Sequence, residues 1–215
     1  MKQLIDISIP MKAGMIHWPG DIPFTRIQRT EIGINDAVSN DSILIMSAHC
    51  GTHVDAPRHF IRGGKTADKL SLSTTIGPVY VLDCSDCDGQ IGEEVLRRVP
   101  ENTLRLLIKT KNGGMIRESF FNPDFIGLNV SGAAWIKDHG ILLFGSDYCS
   151  IGALADGSIA QVHQIFLSNE NAVVLEGLDL SKVEEGEYEL ICLPLSIEGS
   201  DGAPCRAVLI KEDTQ

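Results

Sequence analysis

Short apolar runs rich in Ile, Val and Leu recur along the chain, at Leu4–Ile9, Ile43–Met46, Val79–Leu82, Leu104–Ile108, Ile141–Phe144, Val173–Leu175, Tyr188–Leu195 and Ala207–Ile210. They have strand length and turn-forming flanks, so each is predicted to be a β-strand. Helical signals are fewer. Ser131 stands where an N-cap would precede Gly132–His139, with Gly140 just past the end, and Glu93–Val99 and Ile159–Leu167 carry helical spacing. The pattern predicts a mixed, strand-dominated α/β fold. No internal repeat or Pro/Ser-rich linker divides the sequence, so one domain over residues 1–215 is expected. The loosest stretch is Asn112–Gly127, whose glycines and paired phenylalanines suggest a long loop or lid, and residues 211–215 are polar enough to fray.

With 43% hydrophobic and 22% charged residues, the composition is that of a globular chain able to bury its own core. Eighteen basic against 29 acidic residues give a formal net charge of -11, which repels a phosphate backbone and argues against a nucleic-acid partner. Asp6 interrupts the apolar start MKQLIDISIP, so neither a signal peptide nor a membrane anchor is expected, and a cytoplasmic location follows. The six cysteines are then expected to be reduced thiols. Cys84 and Cys87 form a CxxC, but a structural zinc site needs a second ligand pair at matching spacing and none follows.

The segment SAHCGTHVDAPRHF, residues 47–60, adds chemistry to this outline. It concentrates His49, His53, Asp55 and His59 in a protein with only six histidines. If the run Ile43–Met46 continues as a strand, side chains at 49, 51, 53 and 55 share one face, which reads His, Gly, His, Asp. Gly51 would leave space for a divalent ion at roughly 2 Å from each ligand. Pro57 breaks that strand, and His59 beyond it is free to carry protons. A helical HExxH site is excluded, because Gly51 opposes a helix and no glutamate follows His49. Taken singly, each of these residues reads as an ordinary hydrogen-bonded histidine or a turn-capping aspartate. As a set they point to a metal, since clustering desolvated polar groups on one face is costly without a cation.

Two distant residues are further candidate ligands: His163, within Ile159–Leu167, and Glu176, at the end of the run Ala172–Leu175. Each alone reads more readily as a satisfied core or surface histidine or a solvated strand-end carboxylate. Trp18, Phe24, Phe60, Phe120 and Phe121 are available for an aromatic wall against a planar substrate, and Trp18 and Phe60 are the two assigned to substrate binding. Core packing is the ordinary alternative. Asp147 and Asp201 lie in Gly/Ser-rich turns and are expected to cap their own backbone.

The pattern HxGTHxDxPxHF at His49–Phe60 resembles the signature of the cyclase family of metal-dependent hydrolases, which includes bacterial kynurenine formamidases and isatin hydrolases. IDIS at 5–8, HWPGD at 17–21, GSD at 145–147, VHQIFL at 162–167, VVLEGLDL at 173–180, YELICLPL at 188–195 and GSDGAPCRAVL at 199–209 resemble further landmarks in the family's order. Only 110–130 matches weakly. The resemblance implies a compact α/β domain with a central mixed β-barrel-like core and a few flanking helices. It implies metal ligation by His49, His53, Asp55, His163 and Glu176, with His59 as general acid/base. Zinc or manganese would be the metal, one or two ions per subunit. A homodimer or homotetramer is implied, in which a neighbour's N-terminal segment helps to line the pocket. The implied reaction is hydrolysis of a small amide, N-formylkynurenine giving kynurenine and formate. Hydrolysis of an isatin-like cyclic imide or lactam on the same site is the alternative. A catalytically silent metal-binding scaffold is the non-enzyme reading, and His59 argues against it, because a structural site has no use for an imidazole outside the ligand set.

Overall fold

In the computed structural model, which describes residues 2–212, the strands are β1 (Lys2–Asp6), β2 (Thr25–Thr30), β3 (Asp41–Ile45), β4 (His53–Asp55), β5 (Ile76–Asp83), β6 (Arg105–Lys109), β7 (Leu143–Ser146), β8 (Val173–Glu176), β9 (Gly186–Pro194) and β10 (Gly202–Glu212). The tail expected to fray lies, from residue 213 on, outside the described residues. Hydrogen bonding runs in the order β10, β4, β8, β7, β6, β5, β9 and returns from β9 to β10, closing a seven-strand barrel. β5 to β8 are parallel neighbours and the other pairings are antiparallel. This is the mixed, barrel-like α/β core that the sequence pattern and the resemblance implied.

Closure depends on β10. Its first residues pair with β4, its middle with β9, and Val208–Glu212 with β1, which lies outside the ring. The inner parallel strands β6 and β8 are buried on both faces and therefore read as unbroken apolar runs. Leu107, Val173 and Leu175 point into the barrel with Val54, Leu190 and Leu209. Leu106, Ile108, Phe144 and Val174 point outward, against the helices α3 (Val130–Asp138) and α4 (Ile159–Leu167). α4 buries Val162, His163, Phe166 and Leu167, a single stripe at helical spacing.

Several local expectations change. The cap of α3 is Asn129, whose side chain accepts from Gly132 N at 3.0 Å, and Ser131 donates to that same oxygen. The expected helix Glu93–Val99 is α-helical only over α2 (Glu93–Leu96) and closes in turns before Pro100. The run Ile43–Met46 does not continue toward His49. It ends as β3, paired only with β2 in an outlying hairpin.

The Asn112–Gly127 stretch begins with 3-10 turns over Lys111–Arg117 and is clasped at its ends. Asn112 Nδ2 donates to Ile126 O at 2.7 Å, and Ile126 N donates to Asn112 Oδ1 at 2.9 Å. Tyr148 Oη fastens its middle through the backbone N and O of Asn122. All six cysteines are free thiols, and burial, with Cys87 beside it, pushes Cys84 up to about 12. Among the described residues no helix is long and apolar enough to cross a membrane.

Candidate metal centre

The three residues of β4 are held from both sides. His53 stands in register with Glu176 of β8 and with Pro204 of β10, and Asp55 with Val174 and Gly202. Val54 turns into the barrel, so the alternation of the strand sends His53 and Asp55 to the outer face, together with Glu176 and toward α4.

His49 arrives by a different route from the strand that the sequence suggested. Residues 47–52 form a loop with Gly51 at φ +71°, and its carbonyl lies where a Cβ on Gly177 would come within 2.2 Å. Thr52 Oγ1 donates to Gly177 O at 2.6 Å and accepts from Ile9 N at 2.9 Å, binding this loop to the end of β8. Gly51 therefore serves a left-handed turn, and Gly177 the close backbone approach.

Four side chains converge on one point. His53 Nε2 lies 3.3 Å from Glu176 Oε2 and 3.5 Å from Asp55 Oδ1. His163 Nε2 lies 3.3 Å from Glu176 Oε1 and 3.8 Å from Asp55 Oδ2. His49 Nδ1 lies 2.7 Å from Asp55 Oδ1. Asp55 thus divides its oxygens, one facing His49 and His53 and the other facing His163. His53, Asp55, His163 and Glu176 are all nearly inaccessible.

Backbone carbonyls set the rings. His53 Nδ1 donates to Gly51 O at 2.9 Å and His163 Nδ1 to Ile159 O at 2.8 Å, so each neutral ring presents the lone pair of Nε2 to the carboxylates. Burial disfavours charge on both imidazoles, but Glu176 and Asp55 raise both above the ordinary histidine value. Burial also opposes ionisation of Asp55, yet His49, His59 and His53 hold it below the usual carboxylate range. For Glu176, burial and the charge of Asp55 are outweighed by His163 and His53, and its value is lowered. Burial works against charge on His49 as well, but Asp55 and Asp201 lift it to about 10.

This donor set fits a divalent cation. His53 Nε2 is buried and, among the described residues, has no hydrogen-bond partner, the approach of Glu176 Oε2 lying within reach but outside hydrogen-bond geometry. A buried imidazole nitrogen between two carboxylates is satisfied by a positive centre, a proton or a metal ion. Two groups of ligand atoms lie close enough to share an ion, His53 with Asp55 and Glu176, and His49 with Asp55 and His59.

His59 borders this cluster at the end of the turn Pro57–His59. Its ring stacks on His49 with centroids 4.0 Å apart, and its Nδ1 donates to Asp201 Oδ2 at 3.2 Å. Phe60 stacks on His163 at 4.5 Å and meets His59 edge-on at 4.5 Å. The five aromatics do not form one wall. Trp18 packs edge-on against Phe121 at 5.0 Å in a neighbouring cluster that includes Cys50, Phe24 is buried there, and Phe120 is 64% exposed.

Neither Asp147 nor Asp201 merely caps its own turn. Asp147 is buried and accepts from Thr110 N and Oγ1, each at 2.8 Å, which ties the end of β6 to that of β7. Burial pushes it up to about 6, against those hydrogen bonds. Asp201 lies between His49 and His59, a position that spacing along the chain gave no reason to expect.

The Cyclase family model matches residues 5–153, a stretch that contains His49, His53, Asp55 and His59. The chain belongs to the cyclase family. Its relatives include the kynurenine formamidase of Bacillus mycoides (strain KBAB4), 38% identical over 209 residues that span 96% of this chain and 97% of that one. A solved structure described as a potential metal-dependent hydrolase with cyclase activity superimposes with a TM-score of 0.84 at 28% identity, covering 100% of both chains. Isatin hydrolase A from Labrenzia aggregata, bound to benzyl benzoate, superimposes with a TM-score of 0.83 over 97% of this chain and 93% of that one. At 20% identity that cyclase-family likeness speaks to fold alone.

Proposed function

We propose that the chain is a metal-dependent hydrolase of a small amide that cleaves the C–N bond of an N-formylated aniline, with N-formylkynurenine as substrate and kynurenine and formate as products. The observation that carries this reading is the convergence of His53, Asp55, His163 and Glu176 on one buried point, with His59 beside it, stacked on His49. The 38% identity to a kynurenine formamidase across nearly the whole chain supports the substrate class.

His49, His53, Asp55, His163 and Glu176 would hold one or two ions, with His53, Asp55 and Glu176 close enough together to share one. Imidazole and carboxylate ligands suit zinc or manganese. Bound there, a divalent ion supplies Lewis acidity, which makes water a stronger acid and polarises a carbonyl. The protein's own groups do the rest. Asp55 and Glu176 keep the ligand set anionic, and the carbonyls of Gly51 and Ile159 hold His53 and His163 in the ligating tautomer. His59 hands a proton to the departing aniline nitrogen, a transfer suited to an imidazole just outside the ligands. Phe60 and Trp18 receive the aromatic ring. We further propose a homodimer or homotetramer, a cytoplasmic location, and one functional domain over 1–215.

Elemental analysis of protein purified without chelator, paired with a panel of N-formylkynurenine, isatin and small cyclic amides, tests the reading. Bound zinc or manganese with turnover of the formylated aniline supports it. Turnover confined to the cyclic substrates would move the chain to the lactam class. Metal bound with nothing hydrolysed would mark a silent scaffold.

A further inference from the structure

Asp201 lies outside the metal-ligand set, yet one of its oxygens touches two of the site's histidines. Oδ2 accepts from His49 Nε2 at 2.9 Å and from His59 Nδ1 at 3.2 Å. The two rings stack at 28°, so a single carboxylate orients both. An ionised carboxylate only accepts, so the nitrogens facing it carry the protons. In its neutral form His49 then has Nδ1 as its ligating atom, the nitrogen that lies 2.7 Å from Asp55 Oδ1. His59 is left with Nε2 to meet substrate.

The backbone braces this carboxylate. Asp201 O accepts from Ala56 N at 2.9 Å, Ser200 O from Ala67 N at 2.8 Å, and Gly202 stands in register with Asp55. A Cβ on Gly202 would sit 2.6 Å from His49 Cε1, so the absence of a side chain there lets the ring lie against the strand. The Asp201 side chain is itself 46% exposed, and its removal opens no hole in the core.

The geometry points to Asp201 as a positioning residue that aims His49 at the ion and His59 at the leaving group, so that metal affinity and proton delivery depend on one carboxylate. The second half of this inference rests on the hydrolase reading, and the first half on metal binding alone. Carboxylates that hold the far nitrogen of a ligating histidine typically contribute about 10–100-fold in affinity or activity.

The test uses Asp201→Ala and Asp201→Asn in the full chain. Chelator-stripped protein is titrated with Zn²⁺ against a chromophoric chelator, its thermal unfolding is recorded, and kcat and KM for N-formylkynurenine are measured at saturating Zn²⁺. The Ala variant should bind Zn²⁺ about 10–100-fold more weakly and show a lower kcat at nearly constant KM, with unfolding of the stripped protein close to the parent. The Asn variant, which keeps an acceptor oxygen but not the charge, should fall between. Parental Zn²⁺ affinity and kcat in Asp201→Ala would overturn the role. So would affinity losses in both variants that track an equal collapse of the stripped fold. If the parent itself hydrolyses no amide while Zn²⁺ affinity still falls in Asp201→Ala, the hydrolase reading fails and the aiming of His49 stands.

Discussion

His53 and Glu176 are register partners on adjacent strands, and their side chains meet on the outer face of the barrel with Nε2 3.3 Å from Oε2. Both are buried away from bulk solvent.

The Glu176→Gln substitution removes a charge from the ligand set and leaves His53 and His163 with a neutral neighbour. Metal affinity should fall by more than the roughly 10–100-fold typical of losing an outer-sphere partner. Elemental analysis after gel filtration reads this directly, and full occupancy in the variant would show that Glu176 is not a ligand.

For His59→Ala the expectation is different. Turnover of N-formylkynurenine should drop on the order of 10²-fold or more, while the metal content stays that of the parent. A variant with parental kcat would remove His59 from proton transfer.

The His49 value of about 10 carries two pH predictions. Its folded value lies above the ordinary 6.5, so the stability its protonation brings is fully present below about 6.5 and is lost as pH rises through about 10. Chelator-treated protein should therefore melt at progressively lower temperature across that window. Ligation by Nδ1 requires a neutral ring, so metal uptake should release protons and tighten with pH. Calorimetry in buffers of different ionisation heat measures the release, and its absence near neutral pH would contradict the assignment.

Asp147 runs the opposite way from an ordinary paired carboxylate. Its value is raised from 3.8 to about 6, so its contribution to stability is present below about 3.8 and is lost as pH rises through about 6. The full shift corresponds to about 3 kcal/mol. Asp147→Asn does not titrate, so the stability advantage of the parent over this variant should shrink between about pH 4 and 6. Denaturant melts of both proteins across that range would show it, and a constant difference would mean that Asp147 titrates normally.

The parallel wall of the barrel was legible because strands buried on both faces leave uninterrupted apolar runs, as at Leu106–Ile108 and Val173–Leu175. α4 was equally plain, since its buried stripe repeats at helical spacing. β2 was not, because TRIQRT offers one apolar residue, and β4, only three residues long, was expected as the end of a longer strand. The ligating histidines were found for a partly mistaken reason. A continuous strand was expected to align His49 with His53, whereas a left-handed turn at Gly51 and the anchored Thr52 bring them together. Asp201 reads from the sequence as a turn cap because 152 residues separate it from His49, and no local period registers a contact made by barrel closure.

That closure has a consequence for how the protein is made. A nascent chain still short of residue 202 carries His49 to Asp55 but lacks the strand that completes the ring around them. Pairings so distant in sequence form slowly. A centre enclosed by the last strand would then be completed only once that strand is in place, and its ion would be drawn from the metal pool that the folded chain meets.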